Sequence, residues 1–284
     1  GDFLMMGKGF TAHWCAFNDV TDWVPSAATQ AGNQELDQEQ GEIMSIVGLD
    51  YAAIFQERAI RRAIYVGPPV IWDFGQDYVE KARGCISRNA AAAFGRVIFY
   101  AADDGFYAFD GQGSVPIGYG KVDDYFTRQL NYAFRHKVAV GVDGLRKLVV
   151  FGFPAGSSQF ISEVLIYSIV DSRWTHDFFD LEHLYDTPAE PLTLESISSV
   201  WGDDIDASTV TDIDSDTFND RRRRLAAFTT SDHRLAMFTG SARPATMDTG
   251  PTPTAKGVGA LKVPLPLPRR RLTLPPLPFA TARS

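Results

Sequence analysis

The chain has 284 residues, 45% of them hydrophobic and 22% charged, which is enough apolar material for one large domain or two small ones and excludes a chain disordered throughout. Acidic side chains outnumber basic ones 35 to 27, for a net charge of −8, which argues against a general, non-specific nucleic-acid binder. No apolar run reaches the length needed to cross a bilayer, and the opening GDFLMMGKGF lacks the pattern of a signal peptide, so the expectation is a soluble protein made in a cytoplasm. The two cysteines, Cys15 and Cys85, form no CxxC pair and fit neither a disulfide scaffold nor a zinc site.

Short apolar runs of period two, separated by turn residues, dominate the body, and this is an all-β pattern. In chain order, Glu42–Trp72 offers three strands at IMSIVG, YAAIFQ and RRAIYVG. Arg96–Gly111 (RVIFYAADDGFYAFDG) predicts a strand, an Asp-Asp-Gly hairpin, a second strand and an Asp-Gly turn. Lys137–Pro154 predicts a strand to Val142, a turn at Asp143-Gly144 and a strand Lys147–Phe153. Ser162–Asp177 adds a strand, an Asp-Ser turn and a strand beginning at Arg173-Trp174, and Arg224–Gly240 repeats the unit around Ser231-Asp232.

Modules of three or four antiparallel strands thus recur at about 42–80, 84–122, 132–180 and 194–247, the period of propeller blades. The expected fold is a β-propeller built from four-stranded antiparallel blades, incomplete at its N-terminus; four modules are few for a closed ring, so either the first 30 residues supply part of another blade or the chain is a piece of a longer one. A β-sandwich is the rival, but the segment IYSIVDSRW suits the third and fourth strands of a kelch-type blade, with Trp174 packed between neighbours. Residues 251–284 hold 8 of the 16 prolines, six basic residues and no acid, so the remainder carries −14. The expected organisation is a propeller-like body over 1–249 and a Pro/Arg-rich extended tail over 250–284, in polyproline geometry.

Residues with chemical potential are dispersed. The histidines His13, His136, His176, His183 and His233 show no metal-binding spacing, and no phosphate-cradling glycine loop or nucleophile elbow is present. In Gly202–Asp220 seven aspartates include the alternating Asp212, Asp214 and Asp216, but Thr217 and Arg223 stand where a calcium loop needs Gly and Glu. Arg221, Arg222, Arg223 and Arg224 form the densest basic run and are the candidate DNA-facing or gate residues; Arg58, Arg61 and Arg62 could join a phosphate-facing surface, but strand alternation sends Arg61 and Arg62 to opposite faces. Glu57 beside Arg58 is one carboxylate without a partner, which is no glycosidase mechanism.

The strings FNDVTDWVPS, DYAAIFQERAIRRAIYVGPPVIWDF, GRVIFYAADDGFYAFDGQGSVPIGYGKVDDYF and LIYSIVDSRW, spread over Thr11 to Gly240, resemble the packaged-DNA stabilisation or tail-nozzle (tail-hub) proteins of short-tailed bacteriophages. The resemblance implies a virion subunit containing a β-propeller. It would assemble as a six-fold ring below the portal and adaptor, continue the channel for double-stranded DNA and help close it. It implies no cofactor, metal or catalytic residue. Family members are similar over a longer chain with additional N-terminal strands, and the Pro/Arg tail matches no family pattern. The alternative is a glycan-binding or glycan-cleaving propeller using Trp14, Trp23, Trp72, Trp174 or Trp201, and a third reading is a kelch-like interaction module. Candidate assembly contacts are the loops Thr29–Glu42, Gly113–Gly120 and Thr187–Asp220.

Overall fold

A computed structural model describes residues 2–75, 77–188, 223–231, 233–238, 246–247 and 272–273. Among the described residues up to Phe238, four antiparallel sheets follow one another. The first contains β1 (Met5–Lys8), β2 (Thr11–Trp14) and β3 (Gly32–Glu35). The second contains β4 (Ile43–Gly48), β5 (Ala52–Gln56), β6 (Ala59–Gly67) and β7 (Ile71–Asp73), with β8 (Glu80–Lys81) added on β6. The third is a four-stranded meander of β9 (Ala91–Phe94), β10 (Val97–Ala102), β11 (Gly105–Phe109) and β12 (Ser114–Pro116). A short helix α1 (Asp123–Gln129) and a 3-10 helix (Tyr132–Lys137) lead to the fourth. That sheet orders β13 (Ala139–Asp143), β14 (Leu148–Phe153), β15 (Ile161–Ser168), β16 (Arg173–Pro188), β17 (Arg223–Thr229) and β18 (Leu235–Met237). The architecture is all-β and propeller-like.

Local chemistry explains the hairpins. Asp103-Asp104 closes β10 onto β11 as a two-residue loop, with Ala102 opposite Gly105. Asp143 Oδ1 accepts from the amides of Leu145 and Arg146, so the expected turn forms. It is a four-residue loop, however, and the left-handed residue is Lys147 (φ 55°), one place before the paired Leu148.

Aromatic side chains stitch each sheet to the next. Phe3 meets Trp72 at 5.6 Å between the first and second sheets, and Phe55 meets Tyr100 at 5.1 Å between the second and third. Phe106 of β11 contacts Phe151 at 4.5 Å and Trp174 at 5.3 Å across the third and fourth sheets, and Phe126 of α1 at 4.7 Å. The Trp174 indole donates to the Ile117 carbonyl at 3.0 Å, so this residue lies between neighbouring sheets as its sequence context indicates. One buried cluster runs through the second, third and fourth sheets, and another joins the first to the second. A third lies within the fourth sheet, which curls until β13 packs against β16 and β17.

Two expectations change and one helix is new. The opening residues form a three-stranded antiparallel sheet, in keeping with part of another blade, but Thr29–Glu42 carries its edge strand β3 instead of a free loop. The strands at 223–237 do not start a separate blade from the module at 194–247. The bulged strand β16 runs sixteen residues, past the expected end at about 180, pairs with β15 through its first half and with β17 through its second, and makes one six-stranded sheet. Helix α1 is unforeseen because seven residues with one fully buried apolar side chain, Phe126, leave no periodic signal. The aspartate-rich stretch Gly202–Asp220 lies outside the described residues.

The chain divides into two compact units, Gly1–Phe238 and Thr239–Ser284. In the second, β19 (Thr246–Met247) pairs with β20 (Leu272–Thr273), and the rest of the expected 250–284 tail lies outside the described residues. No helix among the described residues is long and apolar enough to cross a membrane.

Trp174→Ala should therefore cost about 3 kcal/mol in chemical denaturation, the scale of a large aromatic lost from a packed site. Trp174→Phe, which keeps a ring but abandons the Ile117 carbonyl, should cost about 1 kcal/mol.

Candidate functional site

Strand β6 separates its two arginines as alternation requires. The Arg61 guanidinium donates to the Gly75 carbonyl at 3.1 Å and lies 4.1 Å from the Tyr78 ring centre. Arg62 donates to the Gly111 carbonyl at 3.2 Å and faces the Tyr51 ring. Both are committed to holding loops against sheets, and Arg58, in the β5–β6 turn, stands apart from them.

Arg58 instead meets Arg88, Arg135 and His136 around a cleft of about 510 Å³, also lined by Glu57, Ser87, Asn89 and Asp103. The segment carrying Arg88 is tied down along its length. The Cys85 amide donates to the Gln56 carbonyl and the Ile86 amide to Ala101, each at 3.0 Å. The Ser87 hydroxyl donates to the Val138 carbonyl, and the Asn89 carbonyl accepts from the Val140 amide at 2.8 Å. This stitching anchors Arg88 to β5, β10 and β13 at once. Gly84 makes the approach possible, since a Cβ there would stand 2.0 Å from the Gln56 carbonyl oxygen.

Arg135 comes from the 3-10 helix, donates to the Tyr132 hydroxyl at 3.1 Å and stacks on that ring. Its nearest carboxylate is Asp103 at 4.0 Å, and that of Arg88 is Glu42 at 4.0 Å, both at the outer limit of an ion pair. Burial pushes the Cys85 thiol up to about 12, so it offers no thiolate at neutral pH.

A second cleft, of about 590 Å³, lies at the other side of the β10–β11 hairpin and is lined by Arg83, Asp104, Tyr107, Tyr119, Asp123 and Asp124. Asp104 accepts from the Tyr107 hydroxyl at 2.8 Å and from Arg83 Nε at 3.3 Å. Asp123, only 8% exposed, accepts from the Phe106 amide at 3.2 Å and is packed against Gly105 and Gly118. A Cβ at Gly118 would stand 1.9 Å from the Asp123 Oδ1 atom. Burial, opposed by the Phe106 amide, raises the Asp123 carboxyl to about 6.

The remaining candidates disperse. His176 meets Glu163 at 2.9 Å, and Tyr125 donates to the same carboxylate at 2.7 Å, which pins α1 to the fourth sheet. His233 meets Glu182 at 2.7 Å, and burial holds His183 below its ordinary range. No group of three His, Cys, Asp or Glu in metal-holding geometry occurs among the described residues. Trp14 is buried and Trp72 packs with Phe3 and Tyr65, while Trp23 donates to the Val20 carbonyl; Trp201 lies outside the described residues. Of the gate candidates, the backbones of Arg223 and Arg224 lie in β17 opposite Pro188 and Thr187, and Arg221 and Arg222 lie outside the described residues. Sequence reasoning missed Arg88, Arg135 and Asp123, whose neighbours come from distant segments. No protein-family model matches the chain, and no curated protein matches it.

Because the folded chain holds the Asp123 proton more tightly than the unfolded one, this group's contribution to stability falls as pH rises from about 4 to about 6. Asp123→Asn keeps an acceptor for Phe106 without the charge. At pH 7.5 it should melt about 3 °C above the unaltered chain, the shift that roughly 1 kcal/mol produces at this size, and the gain should shrink as pH falls through 6 and vanish only below about pH 4.

Proposed function

We propose that this chain is a structural, non-catalytic subunit of a short-tailed bacteriophage tail, of the nozzle or hub type. In this reading it forms a homohexameric ring in the virion, below the portal and adaptor. The ring continues the DNA channel, helps close it, and retains packaged double-stranded DNA until ejection. The observation that carries the proposal is the conjunction of the family-like strings with the strands they occupy: YAAIFQERAIRRAIYVG covers β5 and β6, and RVIFYAADDGFYAFDG covers β10 and β11.

Mechanics support it. Each sheet is gripped by its neighbours through aromatic contacts, which makes a stiff wall suited to a tube around compressed DNA. Val20, Val24, Val66 and Val70 are each more than half exposed, apolar surface of the kind a subunit interface would cover. The −14 carried by residues 1–250 would repel DNA and let it slide, while Arg221–Arg224 would grip it at a closed gate.

The glycan reading draws on one observation, the cleft in which Asp104 and Asp123 share a mouth with Tyr119, a tyrosine 82% exposed. Binding of an oligosaccharide that Tyr119→Ala abolishes would favour it.

Particles assembled without the chain should package DNA and then lose it, and purified chain added back should restore retention, read as nuclease-resistant DNA. Replacing Arg221–Arg224 by Gln should leave rings intact and lower retention severalfold. Heads that hold DNA equally well without the chain would contradict the proposal.

A further inference from the structure

We infer that the cleft formed by Arg58, Arg88 and Arg135 binds a phosphate group, supplied by the backbone of a nucleic-acid strand. The inference does not require the tail reading, because it rests on the cleft alone.

Three guanidinium groups on three separate segments, the β5–β6 turn, the loop before β9 and the 3-10 helix, face one opening of about 510 Å³. All remain charged at any physiological pH, so bringing them together costs mutual repulsion unless an anion is shared. The chain's own carboxylates hold none of them in a close ion pair. Glu42 and Asp103 stand 4.0 Å from Arg88 and Arg135, and among the described residues Arg58 has no ion pair. Glu57, the other acid of the cleft, lies against Gly41, where its Oε2 would be 2.4 Å from an added Cβ. Three guanidinium groups thus stand among three carboxylates, Glu42, Glu57 and Asp103, with no ion pair closer than 4.0 Å among the described residues, which leaves their donors open to an incoming oxyanion.

Geometry favours phosphate over a smaller anion. Guanidinium forks pair bidentately with tetrahedral oxyanions, and a phosphate has enough oxygens to serve three donors from different directions. Asn89 and His136 add polar groups to the lining. The Arg88 segment is fixed by backbone bonds to three sheets, and Arg135 is braced on Tyr132, so little backbone rearrangement is needed on binding. A single strand, or one ridge of a duplex, can present a phosphate to an opening of this size. A whole duplex does not enter it.

The test is fluorescence anisotropy of the full chain with a labelled single strand and a labelled 20-base-pair duplex, at several salt concentrations. Inorganic phosphate serves as competitor. The variant Arg58→Gln/Arg88→Gln/Arg135→Gln alters partly exposed side chains, and its melting curve checks that it folds. We expect it to bind DNA at least tenfold more weakly than the unaltered chain, with a salt slope shallower by about two to three. Unchanged affinity and slope would overturn the inference. So would binding lost only on replacing Arg221–Arg224, or DNA binding undetectable for the unaltered chain. If the unaltered chain binds inorganic phosphate, the triple variant does not, and DNA is ignored, the phosphate site stands and the strand is rejected as its source. Ring assembly is a separate measurement, so failure here and failure of the tail reading are distinguishable.

Discussion

A sheet of three to six strands has two faces and cannot cover both by itself, and the burial of those faces against the next sheet is the constraint from which the rest of this molecule follows. Phe106 shows it most directly. Fully buried on β11, it touches Phe126 of the following helix and Phe151 and Trp174 of the next sheet, so three successive elements share one ring. Phe55 does the same between the second and third sheets with Tyr100 and Phe109. Buried aliphatic side chains such as Ile98, Val140 and Leu165 pack around these rings in the same cluster.

The same stacking decides where chemistry is possible. Strand ends and turns from adjacent sheets gather at the rims, and the two clefts lie there. One collects Arg58, Arg88 and Arg135 from segments whose backbones are already fixed by hydrogen bonds to neighbouring strands. The other places the buried Asp123 beside the Arg83–Asp104 pair. Asp123 also shows that a titratable group can be chiefly structural: its carboxyl fills the space that Gly105 and Gly118 leave and receives the Phe106 amide at the point where the aromatic junction begins.

What could be read from the sequence was what local rules determine. The Asp103-Asp104 hairpin, the strands of VIFYAA and GFYAF, the opposite facing of Arg61 and Arg62, and the position of Trp174 between sheets all depend on alternation and turn chemistry within a few residues. What escaped depends on pairing at a distance. Strand β16 reaches β17 across more than thirty residues of chain, and no local signal announces that it continues instead of ending at about 180. Arg88 and Arg135 are 47 positions apart in sequence yet share a cleft, and Arg88 sits in an irregular segment that carries no periodic pattern.

In the proposed role this stiff stack of sheets works as a ring subunit rather than alone. The most direct measurement is the oligomeric mass of the purified chain by mass photometry, with and without a tail adaptor partner. A species near six copies, alone or on adding the partner, is the predicted result. A chain that stays monomeric at micromolar concentration and assembles with no such partner would contradict it.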